Sequence, residues 1–317
     1  MASSNAAYRI LAGFAVAALF GAPAQAGEAG CDYFQNALIG TRCAGTYSLG
    51  ESTSTGILHE HFNNSVWDAT WDKASTSEEL SASVTLNNWL TLDYYSSFGD
   101  HSYKFTETNV SGFHNSGEHT FGQMESQNPA VGFTLFDSGA GPRRFVLNGF
   151  AGVAYTPAYY YSNHSGTFQG AAETGVYGGL KGAVAYGLGS REWSAVPSFK
   201  LELDRYSPTQ DVFFAPSAGL NFANSSMALS FGPFIKAGYW LAAGPGGNVS
   251  KQSTNVDAGG DIMYQPFHGE RGLWLNGLIL EASASHSLGQ AAYVDPATGW
   301  KANEWQASAS ATFHFQN

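Results

Sequence analysis

The feature that most constrains this chain is an alternation of apolar and polar side chains with period two. It is clearest at the C-terminus. There Trp305, Ala307, Ala309, Ala311, Phe313 and Phe315 alternate with Gln306, Ser308, Ser310, Thr312 and His314. Successive side chains of a β-strand point to opposite faces, so this segment has one greasy face and one wet face. A helix would scatter the same residues around its circumference.

The pattern recurs from Leu80 onward. Leu80, Ala82, Val84 and Leu86 alternate with Ser81, Ser83, Thr85 and Asn87, and a tight-turn signal follows at Asn87-Asn88. Phe145, Leu147, Gly149, Ala151, Val153 and Tyr155 form another such set. So do Trp193, Ala195, Pro197, Phe199, Leu201 and Leu203, with Ser198, Lys200, Glu202 and Asp204 on the opposite face. Further sets start near Val176, Val212, Met227 and Val256. The strand from Leu273 to Ser287 has a mixed register, because Leu273, Leu275 and Ile279 fall on its polar side. The count is about 12 strands, with a range of 10 to 14, each close to the ~10 residues that cross a bilayer at a tilt.

The connections alternate in length. Ser111–Asn128, Tyr161–Gln169, Leu241–Ser253 and Leu288–Ala302 read as long; Ser138–Arg143, Leu188–Glu192, Ala223–Ser226 and Pro266–Arg271 read as short. Ser207–Gln210 is short where a long one is expected. Membrane barrels have short periplasmic turns and longer outer loops, and a last strand ending in the periplasm puts all four long connections outside.

Residues 1–26 read as a cleaved signal peptide. Arg9 precedes an apolar run from Ile10 to Phe20, and Ala24-Gln25-Ala26 fits a small-x-small cleavage site. The run is too short for a spanning helix, which needs ~20 apolar residues. Residues 27–79 are the least regular part and read as an extra hairpin, a plug or a periplasmic tail. Cys31 and Cys43 are the two cysteines of the chain, and in an exported protein they are expected to pair. Residues 80–317 are assigned to the barrel.

The net charge of −11 excludes the basic stripes that nucleic acid requires. A soluble sandwich or secreted barrel would also alternate. The membrane is favoured because charges gather on the polar faces and aromatics gather near strand ends. Tyr155, Tyr159, Tyr160, Trp193, Trp240, Tyr264, Trp274 and Trp305 have that placement. The C-terminal strand resembles the assembly signal of Gram-negative outer-membrane barrel proteins. Ser308, Phe313 and Phe315 match its polar and aromatic positions; Ser310 stands where glycine is typical, and Gln316 and Asn317 follow the last aromatic. The resemblance singles out no named porin family. It implies an all-β, transmembrane, antiparallel up-and-down barrel in the outer membrane, in contact with lipid and lipopolysaccharide. It also implies recognition of Trp305–Phe315 by the barrel-assembly machinery.

On this register Asp93, Glu173, Lys181, Lys200, Glu202, Asp204, Lys236, Asp257, Asp261 and Glu281 face the lumen. Carboxylates outnumber lysines, so the first expectation is a channel for small hydrophilic solutes that prefers cations or neutral molecules. The competing reading is a lumen filled by salt bridges, with Lys200 pairing Glu202, in a structural or accessory barrel serving export, adhesion or the envelope. A lipid hydrolase is the third. It needs a His and a Ser two apart on one strand face, with an orienting polar partner. His286 has Ala284 and Leu288 at those positions, and Ser162 with His164 lies in an expected loop. His59, Glu60 and His61, and His114, Glu118 and His119, could ligate metal. Solvated surface histidines are the commoner case, so no metal site and no cofactor are assigned.

Overall fold

The computed structural model describes residues 31–63, 67–109, 111–139, 143–156, 160–163, 166–169, 172–189, 192–207, 212–243, 249–268, 274–292 and 301–316. The signal-peptide assignment lies outside them. A short helix α1 (Tyr33–Ile39) precedes β1 (Thr46–Asn63), β2 (Trp67–Asn87), β3 (Leu90–Asn109), β4 (His114–Asp137) and β5 (Arg143–Thr156). A small hairpin, β6 (Tyr160–Asn163) and β7 (Gly166–Gln169), comes next. Then follow β8 (Glu173–Gly187), β9 (Trp193–Ser207), β10 (Val212–Asn224), β11 (Leu229–Ala243), β12 (Val249–Tyr264), the 3-10 turn η1 (Trp274–Gly277), β13 (Leu278–Ala292) and β14 (Lys301–Gln316).

Every strand of the wall pairs antiparallel with its neighbour in sequence, β5 pairing β8 across the small hairpin. β1 pairs β14 from Thr46↔Gln316 to His61↔Lys301, which closes the sheet into a 12-stranded barrel without edges. The β6–β7 hairpin stands outside the ring and joins β4 at Thr120↔Ser162 and Phe121↔Tyr161.

Directly paired residues share a face, and two contacts show which face is inside. His314 stacks on Tyr33 of α1 with ring centroids 5.4 Å apart. The inner cavity is lined by Ser308, Ser310 and Thr312. The even positions of β14 therefore face the lumen and Trp305 to Phe315 face out, with Trp305 57% exposed. Leu203, Ile235, Ile262 and Val176 are likewise outward and exposed, as expected of a wall whose solvent is hydrocarbon.

The structure moves three boundaries. The barrel begins at Thr46, not Leu80: residues 46–63 form β1 and residues 67–79 most of β2. Their outer face carries Glu51, Thr53, Thr55, Thr76 and Glu78 at positions where other strands are apolar, so the alternation is missing although the backbone pairing is regular. The expected long loop Ser111–Asn128 is mostly β4, whose pairing with β3 runs out to Thr108↔His114. β1 to β4 contain 18, 21, 20 and 24 residues, about twice the ~10 needed to cross a bilayer. Beyond the membrane neither face meets lipid, so the strands continue on backbone hydrogen bonds with no hydrophobic signal. The strand expected from Leu273 starts at Leu278, because residues 274–277 turn as η1.

Candidate functional site

The site is the lumen above α1. Asp32 caps this helix, its Oδ1 accepting from the Gln35 N–H at 3.0 Å. Gly40 ends it at φ 74°, a left-handed value that suits glycine, and its N–H donates to the Asn36 carbonyl. Cys31 and Cys43 form a disulfide, with Cα atoms 6.0 Å apart, that ties the two ends of this segment together. A helix this short does not hold itself in water. The covalent closure and the docking hold it.

Docking uses both walls. Phe34, fully buried, packs with Ala223, Ala228, Met263 and Ile279. Ile39, 3% exposed, packs with Val146, Ala183 and Val196. Asn148 Nδ2 donates to the Gly40 carbonyl at 2.9 Å, and Thr134 Oγ1 donates to Asn148 Oδ1 at 3.0 Å. Beyond the helix, Arg42 donates through Nη1 to Thr91 Oγ1. Burial pulls the Arg42 guanidinium below its usual range, with the Asp93 carboxylate and Tyr95 working against that. The segment thus lies across the end of the barrel that holds the short turns and both ends of the wall, β1 and β14.

Above it is a cavity of about 640 Å³. Ala37, Leu38, Ile39 and Gly40 form its floor, and its walls are rich in serine, including Ser81, Ser198, Ser217, Ser283, Ser308 and Ser310. Lys181, Lys200 and Lys236 enter it from β8, β9 and β11, and Asp261, Glu281 and Glu79 from β12, β13 and β2. Lysines from β8, β9 and β11 and carboxylates from β12, β13 and β2 thus share one wet chamber.

The register places all ten charged residues singled out in the sequence on the lumen face. Lys181 lies opposite Lys200, and Tyr177 opposite Asp204. Lys236 lies opposite Asp257, and Asp93 opposite Ser83. Asp261 and Glu281 lie opposite Ser283 and Ser310. Glu202 lies opposite Gly179, and Glu173 opposite Thr156. Five of them do not line the floor cavity: Asp93, Glu173, Glu202, Asp204 and Asp257 fall outside it, with Glu202 reaching it through its ion pair to Lys200. Lys200 Nζ also stands 5.3 Å from the Phe150 ring centroid. Among the described residues Lys181 makes no hydrogen bond or ion pair, and its exposed surface opens into the cavity.

Sequence reasoning missed Arg42, Glu79, Asn148 and the helix itself. A signal existed: Val146, Ala183, Val196 and Ile279 are apolar residues on wet faces. Among the described residues α1 narrows the bore, and Lys200 pairs Glu202 on the wall as expected.

The other candidates separate. His286 faces outward, its ring 4.2 Å from that of Trp305, and lies opposite Ala258. His164 lies outside the described residues. His59 Nδ1 bonds Asp72 at 2.5 Å and His61 Nε2 bonds Asp68 at 2.7 Å, on the part of β1–β2 beyond the belt. His114 Nδ1 lies 3.3 Å from Thr108 Oγ1. No group of three or more metal-ligating side chains is present among the described residues.

No family model matches the chain, and no curated protein matches it. The solved structures supply the likeness. The β domain of the Bordetella autotransporter BrkA is 15% identical, covering 84% of this chain and 100% of that one, with a TM-score of 0.41. The COG4313 outer-membrane channel from Pseudomonas putida F1 is 10% identical over 83% and 95%, TM-score 0.46. The translocator domain of the autotransporter NalP from Neisseria meningitidis is 11% identical over 98% of both chains, TM-score 0.44. These neighbours are outer-membrane β-barrels. At such identities the likeness is one of fold alone.

Proposed function

We propose that this protein is exported by its N-terminal signal and acts in the outer membrane as a channel-type barrel for small hydrophilic solutes, with α1 as a plug at its periplasmic mouth. The cavity carries this reading: a chamber of about 640 Å³, polar on its walls, that ends on the plug. A barrel serving only as a wall has no need of an inner face set with serines and charged side chains around a chamber. The periplasmic placement of α1 rests on the short turns at its end. Carboxylates outnumber cations in the lumen, which raises the local concentration of cations over anions. In the same reading the outer wall contacts lipid and lipopolysaccharide, and Trp305–Phe315 serves the assembly machinery.

Liposome swelling with neutral sugars of increasing size tests the proposal. Swelling by the smallest sugars, increased by Ile39→Asp, is the expected result. Absence of swelling with both proteins, each verified as folded by heat-modifiable gel migration, sinks the channel and leaves the structural or accessory barrel. That second reading draws support from the depth at which Phe34 and Ile39 are buried. A hydrolase would need a serine beside an imidazole, and His286 meets Trp305 instead.

A further inference from the structure

The outer face of the barrel is not apolar all the way round. On β14 the outward positions from Trp305 to Phe315 are all apolar, and so are those of β9 from Trp193 to Leu203 and of β10 from Val212 to Phe222. On β1 the outward positions after Tyr47 and Leu49 are Glu51, Thr53 and Thr55, before Ile57 returns to apolar opposite Trp305. They lie directly opposite Ala311, Ala309 and Ala307, inner positions of the apolar run of β14, so they stand within the membrane belt and not above it. Gly50 meets Ser81 and Thr312 on the lumen side, which assigns Glu51 to the outer face.

The polar stripe continues across the neighbouring strands. On β2, Val84, Ala82 and Leu80 give way to Glu78 and Thr76, opposite Thr53 and Thr55. On β3, Leu92 and Tyr94 give way to Ser96; on β4, Val131 and Pro129 give way to Gln127, which pairs with Ser96. Carboxylates facing hydrocarbon are unfavourable, and membrane barrels keep charge off this face at mid-depth.

We propose that this stripe on β1–β4 is a lateral interface covered by a second copy of the chain. The stripe holds acceptors, Glu51 and Glu78, together with hydroxyl donors on Thr53, Thr76 and Ser96 and the Gln127 amide, while the Thr55 hydroxyl donates to the Ser75 carbonyl of its own barrel. A two-fold axis along the membrane normal sets each level of one copy against the same level of the other. Hydroxyls of one barrel then meet carboxylates of its mate, which hydrocarbon cannot do. Four strands about 4.8 Å apart over a belt about 25 Å tall give roughly 500 Å² per copy, counting the stripe together with the apolar positions beside it on the same strands, or roughly 1,000 Å² for the pair, the lower bound of a specific interface. β1–β4 continue past the belt and extend that area. The stripe lies on one side of the barrel, with apolar β9 and β10 far from it in the ring, so the contact closes at two copies.

The test is crosslinking in outer-membrane fractions. Thr53→Cys and Thr55→Cys place a thiol in the stripe; Ile235→Cys places one on the outer face of β11. The native cysteines pair with each other, so a short bis-maleimide reads the introduced thiol. Each variant is first checked for heat-modifiable migration, and Thr55→Cys replaces Thr53→Cys if the latter fails to fold. A species of twice the chain mass from the stripe positions, at least tenfold above that from Ile235→Cys, is expected. A crosslink to a different protein, a monomer throughout, or equal dimer from Ile235→Cys overturns the proposal.

Discussion

The two residues that fix the plug, Phe34 and Ile39, decide what the lumen can do. They are apolar, they come from a segment with no strand pattern, and they fill the wet side of the barrel. Phe→Ala changes at fully buried sites cost about 3–5 kcal/mol. Phe34→Ala should spend that loss on the docking of α1 rather than on the wall, whose strands are closed on each other. Hydrogen exchange checks it: residues 33–39 should exchange faster, with β8 to β12 unchanged. The lysines make a second point. Lys181 and Lys200 stand directly opposite one another, an arrangement that is unfavourable for like charges unless something offsets it. Glu202 does so for Lys200. Lys200→Glu should therefore shift the reversal potential in a KCl gradient toward higher cation selectivity; an unchanged value would mean that ions bypass this wall. The inward direction of these groups could be read from period two, because each shares a strand with a clean apolar set. Arg42 and Glu79 could not, since they come from the stretch where that period fails.

At the scale of elements, the sequence was most legible where one face of a strand meets lipid. β5 and β9 to β14 lie close to their expected places because hydrocarbon on one side and water on the other force the alternation. β1 and the upper halves of β3 and β4 were missed for the opposite reason. Polar residues on both faces leave pairing to the backbone, which no side-chain pattern reports. The plug could be named only as one of three possibilities, because a seven-residue helix has too little length for a periodic signal. Its disulfide links residues 12 apart, and closing a loop of this order removes roughly 3 kcal/mol of unfolded-chain entropy. Joint Cys31→Ser and Cys43→Ser substitution should loosen residues 31–45 to limited proteolysis while the barrel keeps its heat-modifiable migration. Loss of the barrel itself would show that the segment is needed for assembly rather than for closure. At the β4–β5 turn, Arg144 grips Asp137 through Nε at 3.0 Å and Nη2 at 2.7 Å. This pair sits at the surface with side chains 32% and 29% exposed, so Asp137→Ala should cost about 1 kcal/mol, measured as the urea midpoint of the refolded barrel.

For the whole molecule, closure is the organising fact. β1 to β14 pairing removes both edges, the outer face selects the membrane, and the inner face is left to carry chemistry. The strand that displays the alternation most plainly, β14, also makes the seam and sends His314 inward onto Tyr33 of the plug. One polypeptide feature thus ties wall, seam and plug together. The sharpest test is single-channel recording in a planar bilayer, comparing the mature chain with a variant lacking residues 31–45 and confirmed as a folded barrel. A plugged aqueous lumen predicts a small or intermittent conductance for the full chain and a larger, steady one for the variant. Equal silence from both would contradict it.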